Sequence, residues 1–294
     1  MSGHGLDALQ LLVNGTAIGS IYALVALGLV MTYRATEVLN FAHGDVVMAS
    51  AFVGWGLIEG WGLSFWIAAP LTIIAAAAFC YLLDARIIRL IAGQPQFAGV
   101  MLTVALAFMI RGGVSMLFGP TSRSFTTPWN GRNVHLGGLV LADLNLVIIA
   151  AAIIVTALLF TFLRVTPLGI AVQAASQNQL AAYLSGIRVK QLNSLVWAIS
   201  GALAALCGLL LAPIALVDIS LWTVALKALA ALVVGGFGSI PGAILGGVVI
   251  GVVEQFAGVY LPDGSKDIVA YLVLIGILLI RPRGLLGEAS GRRV

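Results

Sequence analysis

The chain has 294 residues, of which 61% are hydrophobic and 9% are charged, and its formal net charge is +4. Soluble domains carry about 25% charged residues, so this composition excludes a water-soluble protein. The apolar runs are about 20 residues long, the length that crosses a hydrocarbon core as a helix, and they lack the short alternation of a transmembrane barrel. The sequence therefore predicts an all-α, polytopic transmembrane helical bundle that forms one domain over residues 1–294.

The apolar runs predict about eight membrane spans. Seven of them are simple runs, at 9–33, 40–58, 62–83, 97–118, 144–163, 193–217 and 267–281. The remaining region, 223–260, is too long for one straight span and contains the run Gly-Gly-Phe-Gly-Ser-Ile-Pro-Gly at 235–242. Proline removes a backbone donor and glycine weakens a helix, so we expect two helices, 223–234 and 240–260, joined as a re-entrant pair or a short hairpin.

The basic residues predict the orientation. If the N-terminus is external, ten of the 15 Lys and Arg residues fall in internal segments and three fall in external ones. The internal ten are Arg34, Arg86, Arg89, Arg164, Arg188, Lys190, Arg281, Arg283, Arg292 and Arg293. This positive-inside bias places the C-terminal tail and the segment 164–191 in the cytoplasm.

A polar cluster joins the first two spans and contains Asn40, His43 and Asp45. Half-helix ends carry partial charges and free backbone groups, and transporters build sites for polar solutes from them. An ordinary cytoplasmic turn followed by the start of a helix explains the same residues equally well. Both interpretations stay open at this stage.

Small residues recur at a spacing of four, in the pairs Gly15 and Gly19, Gly242 and Gly246, and Gly247 and Gly251. This spacing lets transmembrane helices approach one another closely, so we expect close packing between spans at these positions.

Three ionisable residues, Arg111, Lys227 and Glu254, lie within the predicted spans. Charges at membrane depth are costly and are therefore candidates for function. Pairing inside the bundle, for example of Arg111 with Glu254, is the interpretation that we favour. The three residues are isolated from one another in the sequence, which argues against a proton relay.

The segment 164–191 contains no acidic residue and lies between two apolar spans. Thr166 is a typical helix N-cap, Pro167 suits the first helical position, and Gly186 suits a left-handed stop. These signals predict a helix over about 167–185 that lies outside the bilayer and contacts a partner.

Several kinds of chemistry have no motif in this sequence. There is no G-x-x-x-x-G-K-[ST] run for ATP, no G-x-S-x-G elbow, and no His or Cys spacing that would bind zinc. The basic residues follow the membrane loops, so the positive charge does not indicate nucleic-acid binding. We therefore expect no enzyme activity, metal or cofactor in this chain.

Three stretches together resemble a known family. They are Asn14–Leu24 followed by Leu39–Asp45, then Leu168-Gly169 through Ala181-Ala182 to Gly186-Ile187, and finally Gly235–Gly247 ending in Glu254. In this order and at these spacings they resemble the permeases of branched-chain amino-acid ABC transporters, of the shorter, LivH-like type. The resemblance covers nearly the whole chain.

The resemblance implies a bacterial inner-membrane importer that moves branched-chain or other hydrophobic amino acids by alternating access. Its expected partners are a second homologous permease, two cytoplasmic ATPases that bind ATP and Mg²⁺, a periplasmic substrate-binding protein and membrane lipid. ATPase coupling is then expected of Arg164, Thr166, Pro167, Leu168, Gly169, Ala171, Gly186 and Arg188. The translocation path or gate is expected at Tyr22, Asn40, His43, Asp45, Gly235, Gly236, Gly238, Pro241 and Gly242. The family's usual Gly-x-Arg/Lys-Ala reads Gly-Ile-Ala-Val at 169–172, so this chain departs from the pattern there.

Two alternatives remain. The same kind of importer could carry urea or short amides, because nothing in the sequence specifies the cargo. A secondary carrier or channel for small polar solutes would act without an ATPase, and it predicts transport by the single chain driven by an ion gradient.

Overall fold

The computed structural model describes residues 3–91, 93–136, 139–262 and 264–287. In this part of the chain the α-helices are α1 (Gly3–Thr36), α2 (His43–Trp55), α3 (Phe65–Arg86), α4 (Gln96–Phe118), α5 (Asp143–Val165), α6 (Pro167–Gln177), α7 (Gln179–Leu184), α8 (Val189–Ala215), α9 (Val224–Gly235), α10 (Ile240–Tyr260) and α11 (Ser265–Ile280). A π-helical turn at Gly56–Gly60 continues α2, and short 3₁₀ turns occupy Ile88–Ile91 and Ile219–Thr223. Strands β1 (Asn133–Leu136) and β2 (Leu139–Ala142) pair antiparallel.

The predicted fold class, a polytopic helical bundle, is confirmed. Among the described residues, six helices are long and apolar enough to cross a membrane, namely α1, α3, α4, α5, α8 and α10. The other predicted membrane segments are shorter, because α2, α9 and α11 have 13, 12 and 16 residues. A straight span needs about 20 residues, so the predicted count of about eight combines full spans with shorter helices.

The described residues form two compact units, each drawn from separate parts of the chain. The first unit comes from residues 1–30, 128–152 and 224–294, and the second comes from 31–127 and 153–223. The boundaries fall inside α1 and α5, so each of these helices contributes to both units.

In the first unit, α1 and α10 pack backbone to backbone. A β-carbon added at Gly15 or Gly19 would lie 2.7 Å from the Cα atom of Val252 or Val248, and one added at Gly251 would overlap the backbone of Gly19. The close packing predicted from the glycine spacing is therefore confirmed for these helices. The remaining glycine pair, Gly242 and Gly246, meets α9 at Gly235 and Ala231.

In the second unit, α2 is buried on nearly all sides. It packs against α8, where a β-carbon added at Gly208 would overlap the carbonyl of Val47, and it also contacts α3 and α4. From Val46 onward the helix is mostly apolar on all sides, as is typical of a helix in the interior of a bundle. The apolar composition of α2 therefore reflects burial within protein rather than contact with lipid.

The predicted external loop 119–143 is structured on both sides of the boundary between the units. In the second unit, Arg123 and Val217 exchange two backbone hydrogen bonds of 2.9 and 2.7 Å, and the Arg123 guanidinium lies 4.1 Å from the Trp55 ring centroid. Ser122 donates a 2.7 Å hydrogen bond to Asp218. In the first unit, the loop forms the β1–β2 hairpin.

Candidate functional site

The segment after α5 begins with the cap that the sequence predicted. The Thr166 hydroxyl accepts a 2.9 Å hydrogen bond from the Gly169 N–H, and Pro167 occupies the first turn of α6. Gly169 is required for packing, because a β-carbon there would overlap the carbonyl of Phe162. The start of α6, the first part of the predicted helix over 167–185, therefore packs tightly against the end of α5.

The predicted single helix over 167–185 is divided in two, and this is a correction. Asn178 adopts an extended conformation with φ −156° and ψ 103°, and its side chain accepts a 2.9 Å hydrogen bond from the Ala181 N–H. Asparagine is a strong N-cap because its side chain competes with the helical backbone pattern, so α6 ends and α7 begins at this residue. Gly186 then has φ +85°, the left-handed conformation that the sequence predicted.

The α6–α7 pair exposes large apolar side chains. Leu168 and Ile170 are 53% and 55% exposed on α6, and Leu180, Tyr183 and Leu184 are 67–76% exposed on α7. Arg164 and Arg188, at the two ends of the segment, are also exposed, whereas Ala171 is half-buried. The pair therefore presents an apolar surface with basic ends and no acidic residue.

A buried polar cluster joins the start of α8 to the end of α3. The Arg89 guanidinium donates to the Lys190 carbonyl at 3.1 Å and to the Ser194 hydroxyl at 2.9 Å. The Ser194 hydroxyl donates to Asp84 at 2.6 Å, and both of these residues are buried. Sequence reasoning did not single out Asp84 or Ser194. The signal available was one acidic residue near the end of an apolar span, which is costly unless it is paired.

The polar cluster after α1 lies inside the second unit, where Asn40, His43 and Asp45 are 3%, 1% and 0% exposed. The Asn40 side chain accepts a 3.1 Å hydrogen bond from the Ala42 N–H. The His43 Nδ1 atom lies 3.2 Å from the Ser200 hydroxyl on α8. This segment is therefore a buried, hydrogen-bonded turn that leads into a helix.

The turn places the start of α2 partway along α4. The Thr103 hydroxyl donates to the Leu39 carbonyl at 3.1 Å, and Asp45 lies beside Arg111. Arg111 is 15 residues after Gln96, the first residue of α4, so it lies about 22 Å along the helix at 1.5 Å per residue. Helix α2 therefore begins well inside the length of α4, as a half-helix does.

Arg111 forms an ion pair, but its partner differs from the one suggested by the sequence. Its guanidinium makes two hydrogen bonds to Asp45, at 2.9 and 3.2 Å, and lies 3.9 Å from the Trp222 ring centroid. The proposed pairing with Glu254 is wrong, because Glu254 pairs with Lys227. The more general expectation, that charges within the helices are paired, is confirmed: Asp45 pairs with Arg111 and Glu254 pairs with Lys227.

Glu254 is the centre of a network in the first unit. The carboxylate is 2% exposed and accepts hydrogen bonds from the Tyr22 hydroxyl at 2.7 Å and from the Lys227 ammonium at 2.6 Å. Lys227 also donates to Asp267 at 2.8 Å. The Glu254 carboxylate and the Lys227 ammonium therefore connect α1, α9, α10 and α11 through hydrogen bonds.

The predicted helix break is present, with α9 ending at Gly235 and α10 beginning at Ile240. Gly236 and Gly238 have φ of +116° and +89°, which glycine adopts readily and other residues rarely do. The Ser239 hydroxyl accepts from the Gly242 N–H at 3.1 Å and caps α10, with Pro241 in its first turn. A β-carbon at Gly242 would overlap the Gly235 carbonyl, so the two helices meet at their glycines.

Comparisons with known proteins cover the whole fold. Residues 11–278 match the model of the family described as branched-chain amino acid transport system / permease component. The chain is 32% identical over 303 residues to the high-affinity branched-chain amino acid transport system permease protein BraD of Pseudomonas aeruginosa, covering 97% of this chain and 98% of BraD. It is 31% identical over 311 residues to the corresponding LivH protein of Escherichia coli K12, covering 100% of both.

A solved structure shares the fold. The chain resembles PsaBC from Streptococcus pneumoniae, solved in complex with Fab, with a TM-score of 0.52 and 16% identity over 96% of this chain and 97% of that one. At this identity the likeness concerns the fold alone. The family match, by contrast, extends over most of the sequence and includes the half-helix, the α6–α7 segment and the glycine break. The chain therefore belongs to the family of branched-chain amino acid transport system permease components.

Proposed function

We propose that this chain is the permease subunit of an ABC importer that carries branched-chain or other hydrophobic amino acids across a bacterial inner membrane. The relatives BraD and LivH are named as permeases of high-affinity branched-chain amino acid transport, and they align over essentially their full length. The expected assembly contains a second permease, two cytoplasmic ATPases that bind ATP and Mg²⁺, and a periplasmic substrate-binding protein. In this assembly the present chain supplies the membrane path and performs no chemistry itself.

The observation that carries the proposal is the apolar surface of the α6–α7 pair. Exposed apolar side chains outside a bilayer indicate a surface that another protein covers. Leu168 on α6 and Tyr183 and Leu184 on α7 project from a segment that contains no acidic residue. The exposed Arg164 and Arg188 suit acidic residues on the partner.

Contacts within the second unit provide a route from this surface into the membrane. Helix α7 leads through Gly186 and Arg188 into α8, and Arg89 holds the start of α8 to the end of α3. Helix α8 packs along both α2 and α3. A displacement of α6–α7 by an ATPase would therefore reach α2 through rigid, packed helices, as in rigid-body switching.

Two features are our candidates for the path or gate. One is the glycine break at 235–242, and the other is the half-helix start at Asn40–Asp45. Tyr22 on α1 is a separate candidate, as a single side chain. Both features place irregular backbone among the membrane helices, which is tolerated where protein or a cavity satisfies its hydrogen bonds. In this arrangement the C-terminus is cytoplasmic; Arg292 and Arg293, which contribute to that orientation, lie outside the described residues.

Co-purification from native membranes tests whether the apolar surface of the α6–α7 pair binds an ATPase. We expect a P-loop ATPase to be recovered with the wild-type chain in mild detergent, and to be lost from Leu168→Asp and Leu184→Asp variants. Gln177→Asp is the matched control, because it adds the same charge at an exposed polar position. A chain that is isolated alone, and that moves solute in liposomes under a proton gradient without ATP, would support a secondary carrier instead.

Uptake measurements test the cargo. Cells that express the complete transport system should accumulate radiolabelled leucine, and excess isoleucine or valine should compete with it. Accumulation of urea or a short amide that leucine does not inhibit would keep the ABC importer but replace the proposed cargo.

A further inference from the structure

The end of α9 has more backbone acceptors than its own helix can use. The last four carbonyls of an α-helix have no intrahelical partner, and in α9 these belong to residues 232–235. The Leu232 carbonyl is bonded locally, by the Gly236 N–H at 3.0 Å. The helix then stops at the break, so the next carbonyls require donors from elsewhere.

Those donors come from the segment that follows α11. The N–H groups of Leu285 and Leu286 donate to the carbonyls of Val234 and Gly235, both at 2.8 Å. A turn closed by the Gly284 N–H and the Arg281 carbonyl, at 2.9 Å, brings the chain back to this position. We call residues Gly284–Gly287 the C-terminal strap.

Glycines let the strap and the break approach each other at backbone distance. A β-carbon on Gly284, which has φ +76°, would lie 2.6 Å from the Gly236 Cα and 2.7 Å from the Val233 carbonyl oxygen. A β-carbon on Gly236 would lie 2.7 Å from the Gly287 Cα. The Leu285 side chain packs against the buried cluster that includes Val234. The strap is thus fitted to the break by hydrogen bonds, by backbone contact and by an apolar anchor.

We propose that the C-terminal strap is a positioning element of the permease, which caps α9 and holds the 235–242 break in the conformation that transport requires. This inference rests on the proposed function, because it assigns the break to the path or gate. The proposal assigns the C-terminal strap a role in transport. The two main-chain hydrogen bonds, and not the Leu286 side chain, carry that role.

Proline substitution separates the main-chain donor from the side chain. Leu286→Pro removes the N–H that bonds to Gly235, whereas Leu286→Ala keeps it and shortens a side chain that is 44% exposed. In cells carrying the complete transport system, we expect leucine uptake to fall at least tenfold in Leu286→Pro and less than twofold in Leu286→Ala, with equal amounts of protein in the membrane. Equal uptake by the two variants would overturn the proposal.

Hydrogen–deuterium exchange provides a readout that does not depend on transport. The Gly236 and Ser239 amides are hydrogen bonded within the break, to Leu232 and Gly236. In detergent, exchange over 232–242 should accelerate in Leu286→Pro and in a chain that ends after Arg283, but not in a chain that ends after Gly287. Unchanged exchange in the first two would show that the strap does not hold the break. If wild-type cells take up no leucine, the proposed cargo fails, and the exchange result still decides whether the strap holds the break.

Discussion

The Tyr22 hydroxyl donates a 2.7 Å hydrogen bond to Glu254, a carboxylate that is 2% exposed and whose other oxygen lies 2.6 Å from the Lys227 ammonium. Both contacts serve one buried negative charge, so the network should be much more sensitive to loss of the cation than to loss of both charges. Lys227→Met would leave Glu254 charged and unpaired, and breaking a buried pair in this way costs about 3–5 kcal/mol. The double variant Lys227→Met/Glu254→Gln should lose less stability than Lys227→Met alone.

Thermal unfolding in detergent measures these differences. Asp267→Asn is the matched control, because it removes the charge of the second partner of Lys227. The Asp267 side chain is 78% exposed. Exposed ion pairs contribute about 0–1 kcal/mol, so we expect only a small change in this variant. If the double variant were no more stable than Lys227→Met, the network would not be governed by a buried charge.

Alanine substitutions at two helical glycines should have opposite effects on stability. A methyl group at Gly251 would overlap the backbone of Gly19, so α1 and α10 must separate, and overpacking of this kind costs about 1–3 kcal/mol. Gly276 on α11 has no heavy atom within 4 Å of an added β-carbon. Gly276→Ala should therefore stabilise the chain by about 0.5–1 kcal/mol, through reduced backbone freedom in the unfolded state. A Gly251→Ala variant that unfolds at or above the wild-type temperature in a detergent unfolding assay would contradict the packing of α1 on α10.

Valine at Gly238 or at Gly242 should abolish uptake, for two different reasons. Gly242→Val would collide with the Gly235 carbonyl, whereas Gly238 has open space around it but has φ +89°, which a β-branched residue adopts only under strain. We expect leucine uptake to be lost in both variants while membrane insertion is retained. Gly276→Val is the control, because it places the same side chain in open space on α11. Normal uptake by Gly238→Val and Gly242→Val would remove the break from the mechanism.

Local signals predicted the features that neighbouring residues determine. The Thr166 cap, the Gly186 stop and the division of 223–260 at its glycine run depend on residues only a few positions apart. The division at Asn178 has the same kind of signal, an N-cap residue in a polar run, but the caps at Thr166 and Gly186 are also consistent with one continuous helix. Local chemistry alone does not decide between the two.

Tertiary contacts account for what the sequence did not predict. The partner of Arg111 depends on where α2 begins along α4, and hydropathy gives no information about that level. The apolar run at 40–58 has the length of an ordinary span, so the sequence does not indicate that α2 begins partway along α4. The contact of Asp45 with Arg111 is what shows this position. Likewise, basic residues place the Arg-Pro-Arg-Gly-Leu-Leu-Gly run at 281–287 in a predicted cytoplasmic tail, but no local signal predicts that the Leu285 and Leu286 amides donate to carbonyls of α9.

The Asp218 carboxylate, in the connection between α8 and α9, forms a contact with Ser122 that we expect to depend on pH. The Ser220 N–H and the Ser122 hydroxyl donate to it, and these hydrogen bonds hold the pKa of Asp218 below its ordinary value. A lowered folded-state pKa means that the contact stabilises the fold above the ordinary pKa and ceases to do so as the pH falls through the lowered one. Ser122→Ala should therefore unfold at a lower temperature than wild type at neutral pH, and this difference should disappear in acid. A difference that is constant with pH would show that the hydroxyl acts without the carboxylate charge.

The Ser194 hydroxyl links Asp84 to Arg89, and its loss should impair transport more than assembly. Ser194→Ala would remove the 2.6 Å hydrogen bond to buried Asp84 and the acceptor for Arg89, a loss of about 1–3 kcal/mol where the start of α8 meets α3. Because α8 follows directly on the α6–α7 pair, we expect leucine uptake to fall several-fold while the ATPase still co-purifies and hydrolyses ATP. Ser194→Thr keeps the hydroxyl and should retain most of the uptake. Equal loss of uptake in the two variants would indicate a packing defect, whereas loss of the ATPase from Ser194→Ala would show that the cluster supports docking rather than transmission.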